Sequence, residues 1–243
     1  MYYISRSISA YSYNTYGLLS SKVDSHMIKN MEWGAVAYLS HSIYGRYTSS
    51  STCTSGGCEV WINPYNNSNT FKTGCAADTV SNTAGESGFS TCNAWYTTKG
   101  VHASTTDNIY GVYDMSGGSH EYVMGNVATN TSTYSWTAGD SGLSTAPDSK
   151  YYDAYTNSAN NDKARSNGKL GDATKEIVKT FGDWNGYDNG WYDDAAYFPS
   201  SVSVFFLRGG YFLGKSNAGI FVYVAGQGDA DIYQSFRIVL SSP

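Results

Sequence analysis

Apolar residues fall at helical spacing clearly only once, from Met27 to Leu39. There Met27, Ile28, Met31, Ala35, Val36, Tyr38 and Leu39 approximate one face. Asp24 or Ser25 stands ahead of this run as a cap for free backbone N–H groups, and Tyr44-Gly45 marks its stop. A weaker helical pattern joins Leu170, Ala173, Ile177 and Val178 between Lys169 and Thr180, and the Tyr151-Tyr152 pair suggests a short helix or turn over Ser149 to Thr156. Residues 2–20, rich in Tyr and Ser, read as an opening strand and turn. Tyr110, Val112 and Asp114 alternate with Gly111 and Tyr113. A Ser-Gly-Gly turn follows, then a short strand from Glu121 to Met124.

The C-terminal stretch, 208–240, divides differently. Two ordered-looking brackets, Arg208-Gly209-Gly210 and Ser235-Phe236-Arg237, enclose an arbitrary interior. Gly209 and Gly210 suit a tight turn. Arg208 and Arg237 suit forked hydrogen bonds that pin loops, with Asp114 and Glu121 as candidate partners, and Ser216-Asn217 suits a local turn. Within the interior, alternation along a strand sends Phe221 and Tyr223 to the core and Ile220, Val222 and Val224 outward. Tyr211, Phe212 and Leu213 follow the glycine turn on a loop tip. Residues 227–233 are too small and acidic for core, so Ala225, Asp229, Asp231, Ile232 and Tyr233 join an exposed contact patch. The competing reading makes 211–213 and 220–224 two buried strands of an ordinary sheet.

Composition narrows the partner. The 243 residues carry only 14% charged side chains and a net charge of −5, which disfavours nucleic acid. No apolar run reaches the roughly 20 residues of a membrane helix, so no direct membrane insertion is expected. The 23 tyrosines, with abundant Gly, Ser and Asn, form the alphabet of binding loops. Cys53, Cys58, Cys75 and Cys92 lie in polar stretches and suggest two disulfides, Cys53–Cys58 and Cys75–Cys92, in an oxidising compartment. Zinc is the alternative, but none of the four histidines lies at ligand spacing from a cysteine pair. Residues 46–107 accordingly read as a disulfide-stapled insertion in a single domain spanning 1–243. No cofactor is expected. Calcium at 183–194, where Asp and Asn crowd a turn cluster around Asp183 and Asp188, is the one alternative.

Three segments resemble formylglycine-generating-enzyme-like domains: Met31-Glu32-Trp33-Gly34-Ala35-Val36-Ala37; Gly111-Val112-Tyr113-Asp114-Met115-Ser116-Gly117-Gly118 with Glu121; and the pair Arg208-Gly209-Gly210 and Ser235-Phe236-Arg237. The resemblance implies an α+β, C-type-lectin-like fold: a small twisted antiparallel sheet, few helices and much irregular backbone. It also implies an opening strand that pairs near the last one, although little precedes the helix here. The family's catalytic parts are not matched. Its copper-binding cysteine pair has no counterpart in 208–240, and the histidine triad of the related sulfoxide synthases has none among His26, His41, His102 and His120. His120, inside a family motif, is expected to be a packing or surface residue. A non-enzymatic protein is therefore expected, with a metalloenzyme of either type or a calcium-dependent lectin as alternatives.

The layout of 208–240 is similar to the variable region of a target protein of a diversity-generating retroelement: Arg-Gly-Gly, a varied run, Ser216-Asn217-Ala218-Gly219 with Phe221, a second varied run, and Ser235-Phe236-Arg237. In those systems an error-prone reverse transcriptase rewrites codons at adenines. The resemblance implies a scaffold of Arg208, Gly209, Gly210, Phe221, Phe236 and Arg237. On it sits a surface of Tyr211, Phe212, Leu213, Val222, Val224, Ala225, Asp229, Asp231, Ile232 and Tyr233 for a macromolecular receptor, protein or glycan. It further implies an extracellular setting, on a bacterial cell surface or phage virion, within a larger protein.

Overall fold

The computed structural model describes residues 1–8, 21–45, 94–98, 100–130, 133–134, 136–137, 141–156, 168–177, 188–191, 194–200 and 202–243. The four cysteines and residues 157–167 and 178–187 lie outside them. So do the expected disulfides, and the candidate calcium stretch up to Tyr187.

The described residues form a mixed α+β architecture with few helices and more than one sheet. The chain opens with a short helix, α1 (Tyr2–Ser7), where the sequence suggests a strand. Strand β1 (Asp24–Met27) follows, then helix α2 (Asn30–Ser40). Asp24 and Ser25 therefore belong to a strand and do not cap the helix. The Glu32 carboxylate takes the Lys29 N–H at 2.8 Å instead, satisfying a donor at the helix start. The buried stripe of α2 also differs from the apolar one. It is Asn30, Trp33, Gly34, Ala37 and Ser40, while Ala35 and Leu39 face solvent. Small residues win because the helix lies directly on the backbone of Gly171 and Asp172. A side chain at Gly34 would run into that backbone.

β1 pairs antiparallel with β10 (Ile238–Ser241), the last strand, in the register Asp24↔Ser241 to Met27↔Ile238. The larger sheet is built on β2 (His120–Asn130) and runs β3 (Thr133–Tyr134), β2, β7 (Phe205–Arg208), β8 (Tyr223–Gly226), β6 (Ala195–Ala196), β5 (Asp188–Asn189). β4 (Asp153–Tyr155) and β9 (Gln234–Phe236) both lie parallel to β2, at Gly125–Val127 and His120–Tyr122. A run of eight buried residues, 121–128, fits a strand covered on both faces, where alternation of polar and apolar residues disappears. One face holds Trp33, Val123, Val127, Phe206, Phe221 and Tyr223. The other holds Tyr122, Met124, Phe205 and Leu207, covered by Trp136 and Leu143 and by Tyr2 of α1. Arg6 fastens α1 by pairing with Asp24 and lying 3.7 Å over the Tyr151 ring. Burial opposes ionisation of Asp24, but hydrogen bonds from Arg6, Lys150 and Tyr151 prevail and hold its carboxyl at about 2.

Residues 168–177 are turns instead of a helix. Ala173 sits at φ 56°, which breaks helical continuation, and Leu170 is exposed while Ala173 and Ile177 are buried. Residues 109–113 likewise form no strand beyond a bridge from Tyr113 to Ser104. Among the described residues, no helix is long and apolar enough to cross a membrane.

Candidate binding surface

The frame of the C-terminal stretch is set by buried polar groups. Arg208 is fully buried at the end of β7. Its Nε donates to Asn30 Oδ1 at 2.7 Å, and its terminal nitrogens donate to the carbonyls of Asp172 and Ala173. Asp172 accepts from Tyr155 Oη at 2.6 Å and from Thr174, so its charge faces the guanidinium through a closed network. Arg208 thus pins α2 and the 171–174 turn, not Asp114 or Glu121. Arg237 does take the expected partners: a fork to the Glu121 carboxylate and a bond to the Asp114 carbonyl at 3.3 Å.

Gly209 and Gly210 adopt φ of 81° and 72°, as the turn requires. They pack against a second glycine turn, with Gly117 N–H donating to Gly209 O at 2.7 Å and Phe212 N–H to Gly118 O at 2.8 Å. The next bracket is fixed by Asp194. This buried carboxylate accepts the Phe221 N–H at 2.9 Å and sits where a side chain on Gly219 would be. Trp33 Nε1 reaches Ile220 O at 2.8 Å from the other side.

These ties decide the fate of the interior residues. Val222 is buried, not outward-facing, and Ile220 is buried too. Strand alternation does not apply to them because the chain turns there, with Val222 N–H bonding Gly219 O, and β8 begins only at Tyr223. Phe221 and Tyr223 are core, as expected. Val224 and Ala225 are half-buried in β8. Phe212 is buried and Tyr211 half-buried, while Leu213 is exposed. Asp229 and Tyr233 are half-buried, Asp231 is exposed, and Ile232 is 79% exposed. Phe236 and Arg237 are half-buried scaffold.

The two loops, 211–213 and 229–233, come together over the start of β2. His120 N–H donates to Tyr233 O at 2.8 Å, and its ring stacks on Tyr211 with centroids 4.9 Å apart. Tyr211 and Phe212 each lie 5.8 Å from the Tyr233 ring. An aromatic cluster of four rings therefore joins two loops that are separate in the chain. Burial pushes the His120 imidazole down to about 4, so it is neutral at ordinary pH. Tyr122, two residues along the same face of β2, is buried beneath the neighbouring loop. Its hydroxyl accepts Gly228 N–H at 3.0 Å and donates to Asp229 at 3.3 Å. Register places Val224 opposite Leu207 and Leu207 opposite Tyr122, so Val224 shares that face. A cavity of about 250 Å³ opens beside it, between Met1, Tyr2, Tyr122, Leu143, Phe205 and Asp229.

His120, under the Tyr211 ring, and Tyr122, buried beneath the 228–229 loop, are supports that the C-terminal layout does not reveal. The signal for them is period-two alternation through Glu121, whose own side chain turns inward to Arg237. Among the described residues, no group of three or more His, Asp or Glu side chains gathers as a metal cluster would. The chain matches no family model, no curated protein and no solved structure.

Proposed function

We propose that this chain is a non-enzymatic binding and display protein, with a C-type-lectin-like, formylglycine-generating-enzyme-like fold, whose C-terminal region presents a diversified surface to a macromolecular receptor. The setting that fits is extracellular, on a bacterial cell surface or phage virion. One observation carries the reading. Within a single stretch, the bracket residues Arg208, Gly209, Gly210, Phe221 and Tyr223 are buried and tied to the core, while Leu213, Asp231, Ile232 and part of Tyr211 and Tyr233 are turned out together. A frame independent of its surface is what a displayed, replaceable contact region needs. The pairing of β1 with the last strand adds support for the fold, because it supplies the expected opening strand.

The reading is tested in the encoding DNA. A near-identical repeat of the segment coding for 208–240, differing at adenines and lying beside a reverse-transcriptase gene, is expected. Its absence, in a sequenced locus, removes diversification from the proposal.

A further inference from the structure

The chemistry of the same surface goes further, and the step rests on the display reading only for the location of the site. The patch is made of rings and carboxylates. Tyr211 and Tyr233 lie half-exposed, Phe212 packs against both rings, and Leu213 and Ile232, on the same two loops, are exposed. Asp231 is exposed, with its Oδ1 accepting the Tyr233 N–H at 2.8 Å, so its charge is held at the Tyr233 backbone. Asp229 lies on the other side, against the Tyr122 hydroxyl. Burial first, and then the charges of Asp229 and Asp231, push the Tyr122 hydroxyl up to about 12.

The described side chains of this patch include no cation. His120 is neutral, and Arg237, between β9 and β10, is committed to Glu121. Aromatic faces attract a cation through their quadrupole, and a carboxylate on the same loop adds a directional partner. We infer that the occupant is a protein segment presenting arginine or lysine side chains, which lie on the exposed parts of the touching Tyr211 and Tyr233 rings and pair with Asp231, while Asp229 adds to the local negative charge. A neutral glycan would stack on the same rings and donate hydroxyls to the carboxylates, but it would leave their charge uncompensated, and its binding would not weaken with salt.

Calorimetry at low salt, on the full chain, tests this with three probes: a short peptide of alternating arginine and serine, the same peptide with glutamate for arginine, and a neutral oligosaccharide. The arginine peptide is expected to bind with a Kd of roughly 10–100 µM and to weaken several-fold at about 0.15 M salt. The Asp229→Asn/Asp231→Asn variant should lose about tenfold in affinity, and Tyr233→Ala a similar amount. Asp107→Asn, which removes a charge elsewhere, should lose nothing. Asp231→Asn alone, at an exposed position, keeps the test valid if the double variant is unstable. Equal loss in Asp107→Asn, equal binding of the glutamate peptide, or saturable sugar binding abolished by Tyr211→Ala with no peptide binding would each overturn the inference. The outcomes stay separate from those in the DNA. A repeat without peptide binding removes the cationic partner alone, and peptide binding without a repeat removes diversification alone.

Discussion

Arg208 Nε donates to the side-chain oxygen of Asn30 at 2.7 Å, linking positions 178 residues apart across the buried side of the sheet. That bond, with the two carbonyls of the 172–173 turn, converts a loop boundary into a fixed point. Arg208→Met should cost about 3 kcal/mol, because it leaves Asn30 and two carbonyls unsatisfied around the Asp172 charge. Arg208→Lys should recover little, since an ammonium cannot reproduce the fork. Urea unfolding of the three proteins measures both.

Gly219→Ala should be strongly destabilising although the change is one methyl group. The methyl would enter the Asp194 carboxylate and displace it from the Phe221 N–H. A loss of about 2–4 kcal/mol is expected in thermal or urea unfolding. A loss under about 0.5 kcal/mol would show that the bracket is free to shift.

Exposed and buried members of the C-terminal interior should separate cleanly. Leu213→Ser and Ile232→Ser should change unfolding free energy by less than about 0.5 kcal/mol each. Val222→Ala, which empties a fully packed site, should cost about 2–3 kcal/mol. Similar costs for all three would contradict a frame independent of its surface.

Two largely buried groups should bend the pH profile in opposite directions. Burial lifts Asp114 from 3.8 to about 6, against the pull of Arg237 and with the push of Glu121. Its stabilising share is therefore full below pH 3.8 and is lost as pH rises through about 6. Burial lowers His120 from 6.5 to about 4, so its share is full above pH 6.5 and is lost as pH falls towards about 4. Each shift corresponds to roughly 3 kcal/mol, so the two largely cancel in the native protein. Asp114→Asn, whose side chain tolerates the φ of 55° there, should gain roughly 2–3 kcal/mol near neutral pH and lose stability on acidification. His120→Gln should instead gain stability on acidification relative to the native protein, apart from a constant offset for the lost stacking on Tyr211. Denaturant titrations of the three proteins across this range reveal the slopes. Equal slopes for the two variants would contradict the assignment.

What is legible in the sequence follows from physics that acts locally. Gly209-Gly210 announces its turn because only glycine takes φ of 81° and 72° without cost. Arg237 and Glu121 announce each other as charged residues within largely uncharged segments, which need partners when buried. Alternation places Phe221 and Tyr223 in the core, where they are, but for a reason that does not hold. The chain from Gly219 to Val222 is a turn held by Asp194, and nothing local reports a carboxylate 27 positions before Phe221. The stripe of α2 departs from its apolar pattern for a similar reason. Gly34 and Ala37 face inward because the helix meets a backbone turn, Gly171–Asp172, and that contact is purely tertiary. The meeting of 211–213 with 229–233 over His120 is a long-range event too, although Tyr211, Phe212 and Tyr233 already stand out in sequence as loop aromatics.

The pairing of β1 with β10 has a mechanical side. Asp24, where the chain enters β1, lies opposite Ser241, where it leaves β10. Tension applied through the two ends therefore pulls on adjacent points at one end of an antiparallel ladder. Its hydrogen bonds break in succession, like a zip, instead of resisting together as they would in shear. Arg6, bound to Asp24 at the leading edge of that ladder, is the first tie to carry the load. Under a tether, the β1–β10 seam would yield before the β2–β7 pairing that holds the proposed binding surface.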